Sequence, residues 1–280
     1  MTDIDHLKTW IGRTEEAEDH ADAGRIAELA ATLDHETPPW EAGEAPPLTH
    51  WLWFHTHVRQ SGLGPDGHPR RGGFLPPVEL PRRMWAGSRI RFLAPVPIGS
   101  AVKQVSTIKS VEAKSGKSGA MIFVTVSHEI FADGTRAIVD EQDIVYREAA
   151  RPDAAPVPAQ PDTRKSDVTR TFHPDPVLLF RYSALIFNAH RIHYDHDYCR
   201  TVEGYPGLVV HGPLIATLLM DHFLRAHPGT RVARYTFRAQ RPLFDTAPFD
   251  LCLAEKPGGA EIWARNQAGE VAVTSVLETA

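Results

Sequence analysis

His211-Gly212-Pro213-Leu214-Ile215-Ala216-Thr217-Leu218-Leu219-Met220-Asp221-His222-Phe223-Leu224-Arg225-Ala226 holds a run, Pro213 to Ala226, that is apolar on nearly every side. A helix without a polar face is normally buried all round. Pro213 suits the first helical position, where its missing N–H would have no partner in any case. Strand-like segments follow. Tyr235-Thr236-Phe237-Arg238 runs into Arg241-Pro242-Leu243-Phe244-Asp245, and then come Phe249 to Ala254, Glu261 to Asn266 and Val271 to Leu277. Strands of this length joined by turn residues imply an antiparallel sheet. The expected unit is a long buried helix followed by antiparallel strands that wrap it.

Working backwards along the chain, the first half ends in the same manner. A helix candidate, Asp22 to Leu33, has Ile26, Leu29, Ala30 and Leu33 at helical spacing, and an apolar stretch from Leu48 to His57 holds Trp51, Trp53 and Phe54. Arg89-Ile90-Arg91-Phe92 then leads into Pro95-Val96-Pro97-Ile98-Gly99. Val102 to Val111, a Gly-rich turn at Ala113 to Gly119, Met121 to His128 and Asp140 to Tyr146 complete the half. Setting Pro95 opposite Pro242 places Ile90 opposite Phe237 and Gly99 opposite Thr246, which suggests an internal repeat. The segment from Glu148 to Asp167 is rich in Pro and Ala and lacks apolar periodicity, the composition of an extended connector. The expected organisation is residues 1–147, a linker at 148–167 and residues 168–280. A central helix wrapped by a sheet is a hot dog arrangement. The expected fold is α+β, a double hot dog of two antiparallel sheets each wrapping a central helix, with the first copy degenerate and the second complete.

Composition narrows the function classes. The chain has 280 residues, 42% apolar and 23% charged, the balance of a soluble globular protein. Its net charge of −5 does not favour nucleic acid or an anionic membrane, so neither is an expected partner. Cys199 and Cys252 lie far apart, which argues against a disulfide framework and for a reducing compartment. The polar, acidic start Met1-Thr2-Asp3-Ile4-Asp5-His6 lacks the pattern of a signal peptide, and no run has transmembrane length. A cytoplasmic location is expected.

Chemistry-bearing residues concentrate just before the apolar helix, in Phe180-Arg181-Tyr182-Ser183-Ala184-Leu185-Ile186-Phe187-Asn188-Ala189-His190-Arg191-Ile192-His193-Tyr194-Asp195-His196-Asp197-Tyr198. Together with His211-Gly212, this segment resembles the MaoC-like hydratases. Their pattern is Asp-x-Asn-Pro-aliphatic-His-x-Asp, a Tyr shortly after, and then His-Gly before the central helix. Asn188, His190 and Arg191 fall at the pattern's Asp, Asn and Pro, while Ile192, His193, Asp195, Tyr198, His211 and Gly212 keep it. The form Phe-Arg-Tyr-Ser-Ala-Leu, then Phe-Asn-Ala-His-Arg-Ile-His-Tyr-Asp, is similar to the branch of mesaconyl-C4-CoA hydratases, itaconyl-CoA hydratases and type 2 hydroxyacyl-thioester dehydratases. Leu80 to Gly87 and Glu141 to Tyr146 support the same branch.

The resemblance implies hydration or dehydration of a coenzyme-A thioester. The expected reaction takes mesaconyl-C4-CoA or itaconyl-CoA to citramalyl-CoA, with coenzyme A as part of the substrate and no separate cofactor. The alternatives are a 3-hydroxyacyl-thioester dehydratase of fatty-acid synthesis, a thioesterase on the same fold and a non-catalytic acyl-CoA binder. His193 suits proton transfer, because an imidazole titrates near working pH. Asn188 can hold a water but cannot deprotonate it. Either His193 acts alone as acid and base, or a carboxylate such as Asp195 supplies the second function. Gly212, at an unpaired helix start, is the candidate donor to the thioester oxygen. His190, His211, Arg181 and Arg191 are candidate substrate contacts, the two arginines for a free acyl carboxylate. Arg70, Arg71, Arg82, Arg83, Arg89 and Arg91 are candidates for the phosphates of coenzyme A or for a plain solvated face. The spacing of His190, His193, His196 and Cys199 lacks the pairing of zinc hydrolases, so no metal is expected. Pairing of double hot dog chains into a homo-oligomer is compatible with all of these readings.

Overall fold

In the computed structural model, residues 3–116, 119–148 and 161–280 are described. Most of the expected linker, and Lys117-Ser118 in the expected turn, lie outside them. The strands are β1 (Thr14–His20), β2 (Arg82–Phe92), β3 (Ala101–Gly116), β4 (Gly119–Ala132), β5 (Thr135–Arg147), β6 (Val168–Phe172), β7 (Val232–Ala239), β8 (Phe249–Lys256), β9 (Gly259–Asn266) and β10 (Val271–Thr279). The helices are α1 (Ile4–Lys8), α2 (Ala23–Thr32), α3 (Pro176–Leu185), α4 (His196–Tyr198) and α5 (Gly212–Ala226).

All ten strands form one antiparallel sheet in the order β1-β3-β4-β5-β2-β7-β10-β9-β8-β6. From its outer edge inward, each half has its first, third, fourth, fifth and second strand. The two five-stranded halves of the sheet meet at β2 and β7, where Arg89 pairs with Thr236 at the centre of the register. Arg89 and Thr236 stand as far apart in sequence as Pro95 and Pro242, so the repeat inferred from the prolines is the one that makes this seam two-fold symmetric.

The helix α5 lies against β8, β9 and β10. Its residues from Leu214 to Leu224 are buried. Each buried Leu, Ile or Phe there contributes roughly 2 kcal/mol, more than the differences in helix propensity along the segment. Asp221 is the charged exception inside this surface. It accepts from Arg170 and Arg225 and pairs with His35 Nε2 at 2.6 Å. The helices α2 and α3 follow the first strand of each half and pack on each other. Asp22 and Asp175 cap them through their side chains. Among the described residues the first half has no counterpart of α5: only short 3₁₀ turns at Thr49–Leu52 and Gln60–Gly62 lie between α2 and β2. The fold is a double hot dog with its second copy complete.

Candidate active site

After α3 the chain reverses through Phe187, whose φ is +50°. The Asn188 N–H donates to the Ser183 carbonyl at 2.8 Å, and Asn188 Oδ1 accepts the His190 N–H at 3.0 Å. Asn188 thus closes the turn that delivers His190 and His193, leaving its Nδ2 without a partner among the described residues. Asp195 is committed at both oxygens. Oδ1 accepts from the Tyr198 N–H as the cap of α4, and Oδ2 accepts from Arg191 Nε and Nη2. A carboxylate held this way is a support for the segment rather than a free base. The backbone bond to Tyr198, then the Arg191 guanidinium, hold its pKa below the ordinary value.

Arg191 is equally occupied. It also donates to the Pro65 carbonyl and lies 4.2 Å above the Tyr198 ring. Arg181 is exposed on α3. Neither arginine lines either of the two cavities described below.

His193 is buried, 7% exposed. Its Nδ1 lies 2.7 Å from the Val209 carbonyl. A carbonyl only accepts, so Nδ1 carries the proton and Nε2 is the free lone pair. The His211 ring stacks on His193 with centroids 3.6 Å apart, and His211 Nε2 meets Ser183 Oγ at 2.8 Å. His190 stands edge-on to His193 at 5.4 Å. Burial lowers the pKa of His193 to about 3, with His190 and His68 adding to the effect against the opposing Val209 bond. Burial, then His68, lowers His190 to about 3 as well. His211 is pushed well below the ordinary value by burial and by His193. All three imidazoles are neutral at pH 7.

Gly212 follows at the start of α5, which has no side-chain cap. Its N–H has no acceptor among the described residues, and a Cβ built there would meet nothing within 4 Å.

A loop of the first half completes the site, and sequence reasoning missed it. The Arg191 N–H donates to the Asp66 carbonyl, Asp66 Oδ2 pairs with His68 Nδ1 at 3.0 Å, and the His68 ring lies 3.9 Å from His190. Gly64-Pro65-Asp66-Gly67-His68 carried a visible turn signal, Asp-Gly, but nothing local tells where such a turn docks. Asp66, His68 and His190 bring ligand-type atoms within 4.8 Å of one another, a spacing a metal could use. Arg83, which acts on His190, and the arginines beside this group make the surroundings cationic and oppose a metal ion.

Two cavities flank these residues. One of about 490 Å³ is lined by Asp66, His68, Arg70, Arg71, Arg82 and Arg83. Within it, Arg71 is tied to the carbonyls of Val78, Leu80 and Pro81, and Arg82 to Glu203. Arg89 is bound by Glu141 and Asp143 and is not free for phosphate. The second cavity, about 240 Å³, lies in the first half and reaches Ile186 and Pro213. Among the described residues, no helix is long and apolar enough to cross a membrane.

Residues 48–245 match the family described as hydroxyacyl-thioester dehydratase type 2. The chain is 47% identical over 273 residues to the mesaconyl-C(4)-CoA hydratase of Chloroflexus aurantiacus, covering 96% of each. Among solved structures it is similar in fold to HtdX of Mycobacterium tuberculosis, with TM-score 0.69, 18% identity, and 96% and 100% of the two chains covered. A second protein of that organism, described as having a double hotdog fold, aligns with TM-score 0.59 at 14% identity over 99% and 97% of the chains. The chain belongs to the hydroxyacyl-thioester dehydratase type 2 family.

Proposed function

We propose that this protein is a hydro-lyase acting on an enoyl-CoA with a short, carboxylated acyl group, interconverting mesaconyl-C4-CoA and citramalyl-CoA. The observation that carries the reading is His193. It is neutral, anchored at Nδ1, open at Nε2, and stacked on the residue that precedes Gly212. In the hydration direction, Nε2 takes a proton from water and the hydroxide adds to the β-carbon. The electron pair of the double bond moves toward the thioester oxygen, which the Gly212 N–H receives. One such donor is worth roughly 3 kcal/mol at the transition state. The imidazolium then returns its proton to the α-carbon, so one residue serves as base and acid and no second carboxylate is required. Asn188 offers its free Nδ2 to the water. Coenzyme A is part of the substrate, and side chains and backbone carry the chemistry without a separate cofactor. The relative named mesaconyl-C(4)-CoA hydratase supports the acyl group chosen.

The test is a panel of enoyl-CoA esters followed by loss of enoyl absorbance, with a thiol reagent to detect thioester cleavage. Hydration without thiol release is expected. His193→Ala should lower kcat by about 10³-fold, within the range for general acid–base groups. Full activity in that variant would remove His193 from the mechanism. Thiol release without hydration would instead make the protein a thioesterase.

A further inference from the structure

The proton transfers of His193 leave the neighbouring imidazole of His211 unused. His211 is buried, 1% exposed, and holds the cap position before Gly212 at the start of α5. Three side chains enclose its ring. His193 stacks on it with centroids 3.6 Å apart and planes 18° from parallel. Tyr182 stands edge-on to it at 5.2 Å, and Ser183 Oγ meets its Nε2 at 2.8 Å. The remaining nitrogen, Nδ1, is buried and has no partner among the described residues.

Hydrogen-bond accounting decides which nitrogen holds the proton. Burial, then His193, pushes the His211 pKa well below the ordinary value, so the ring carries a single N–H. Placed on Nε2, that N–H would donate to Ser183 Oγ. The Ser183 hydroxyl proton would then have no acceptor, because Ser183 makes no other side-chain bond among the described residues. Nδ1 would also be left as an idle lone pair. If the Ser183 hydroxyl donates to Nε2 instead, one bond satisfies both groups and only an Nδ1–H is left over. The helix start agrees. An acceptor atom on a cap residue ordinarily takes an N–H from the first turn, and α5 has no such side-chain cap. His211 therefore presents Nδ1–H, a buried donor that stays costly until a ligand supplies an acceptor.

The surroundings say what that acceptor is. The ring lies nearly parallel to His193, so its in-plane N–H is not spent on that neighbour. The next residue, Gly212, has an N–H that also lacks an acceptor among the described residues. Two free donors on consecutive residues thus stand at the positive end of a buried helix, beside the base. An enoyl thioester is a compact conjugated unit. The β-carbon that takes hydroxide is at one end, and the oxygen that takes up charge is at the other.

We infer that His211 Nδ1–H is a second donor to the thioester oxygen, forming with the Gly212 N–H a two-donor site for the charge that develops there. Ser183 is a positioning residue, whose hydroxyl holds His211 in the tautomer that keeps Nδ1 protonated. The proton stays on His211 throughout, and His193 alone exchanges protons with water and the α-carbon. This inference rests on the acyl-CoA reading above and deepens it.

Two substitutions divide the ring between them. An Asn amide reaches the place of Nδ1, and a Gln amide the place of Nε2. His211→Asn keeps a donor for the thioester oxygen and loses the Ser183 bond. His211→Gln keeps an acceptor for Ser183 and loses the donor. With mesaconyl-C4-CoA, His211→Gln should lower kcat by about 10²-fold and change KM by less than about threefold, the effect of removing one oxyanion donor. His211→Asn should remain at least about tenfold faster than His211→Gln. Infrared spectra of bound 3-carboxybutanoyl-CoA, an unreactive ester labelled isotopically at its thioester carbonyl, give an independent reading. The carbonyl stretch should lie lower in the wild-type protein and in His211→Asn than in His211→Gln. Equal losses of kcat in the two variants, or a stretch in His211→Gln that stays at the wild-type position, would overturn the inference and leave the acyl-CoA reading standing. Should neither variant fold, nitrogen NMR of histidine-labelled wild-type protein decides the matter, with Ser183→Ala identifying the His211 ring. An Nδ1–H tautomer whose resonance moves on adding the ester is expected, and an Nε2–H tautomer would overturn the inference. A wild-type protein that neither binds the saturated ester nor turns over the enoyl ester would overturn the acyl-CoA reading, and this inference with it.

Discussion

At Gly67 a loop of the first half packs against the backbone of the second. A Cβ there would sit 1.8 Å from the Ala189 carbonyl oxygen, and φ is +89°, where L side chains are strained. Gly67→Ala must push back the turn that carries Asp66 and His68, and with it the support behind His190. Displacing positioning groups by about 1 Å can cost on the order of 10²-fold, so kcat/KM should fall by about that factor. Steady-state kinetics with a thermal melt would check this, and an unchanged kcat/KM would show the loop to be independent of the site. Residues whose role depends on local chain order were legible in the sequence: His193, Gly212 and the turn at Asn188 sit on one continuous segment. Asp66 and His68 were not. Their positions depend on how a long connection folds across the other half, and no local pattern records that. Asp195 and Arg191 were visible as chemistry, but only the structure shows that they satisfy each other.

Among the elements, α5 was the most readable because its apolar character is continuous, and burial of such a surface outweighs everything else about it. Asp221 departs from that character in an informative way. Its three partners come from the connection after α2, from β6 and from α5 itself, so one carboxylate ties both halves to the central helix. Removing one member of a buried charged group leaves the others unpaired. Asp221→Ala should therefore destabilise the protein by about 3 kcal/mol in urea unfolding. A change under about 0.5 kcal/mol, the size of an ordinary surface substitution, would mean that the cluster is solvated. The strands were legible as alternating segments, and the prolines carried the register of the repeat. The missing central helix of the first half was not legible, since the Trp-rich run from Leu48 to His57 is apolar enough to suit one.

The whole molecule stores neutral histidines in its interior. His190 and His193 have folded-state values of about 3 against an ordinary 6.5. Above pH 6.5 neither state binds the proton and stability is unaffected. Below it the unfolded chain takes up protons that the folded chain refuses, so stability falls as pH drops toward 3. Each such histidine contributes a slope of about 1.4 kcal/mol per pH unit over that window. Urea midpoints measured at pH 7.5 and 5.5 should show the loss, and equal midpoints would mean that these rings are protonated in the folded state. The same neutrality predicts no loss of His193 as a base between pH 7 and 5.

Joining two half-sheets through β2 and β7 leaves β1 and β6 as the outer strands of an open, ten-stranded surface. Exposed strand edges invite other chains to add on, and proteins blunt them with charge or brevity. β1 carries Glu15, Glu16, Glu18 and Asp19 within seven residues. Another copy of β1 would bring the same negative charges against its own. β6 has only five residues. The arrangement that gives the two halves a common site thus exposes two templates for aggregation, one guarded by repulsion and the other by its shortness.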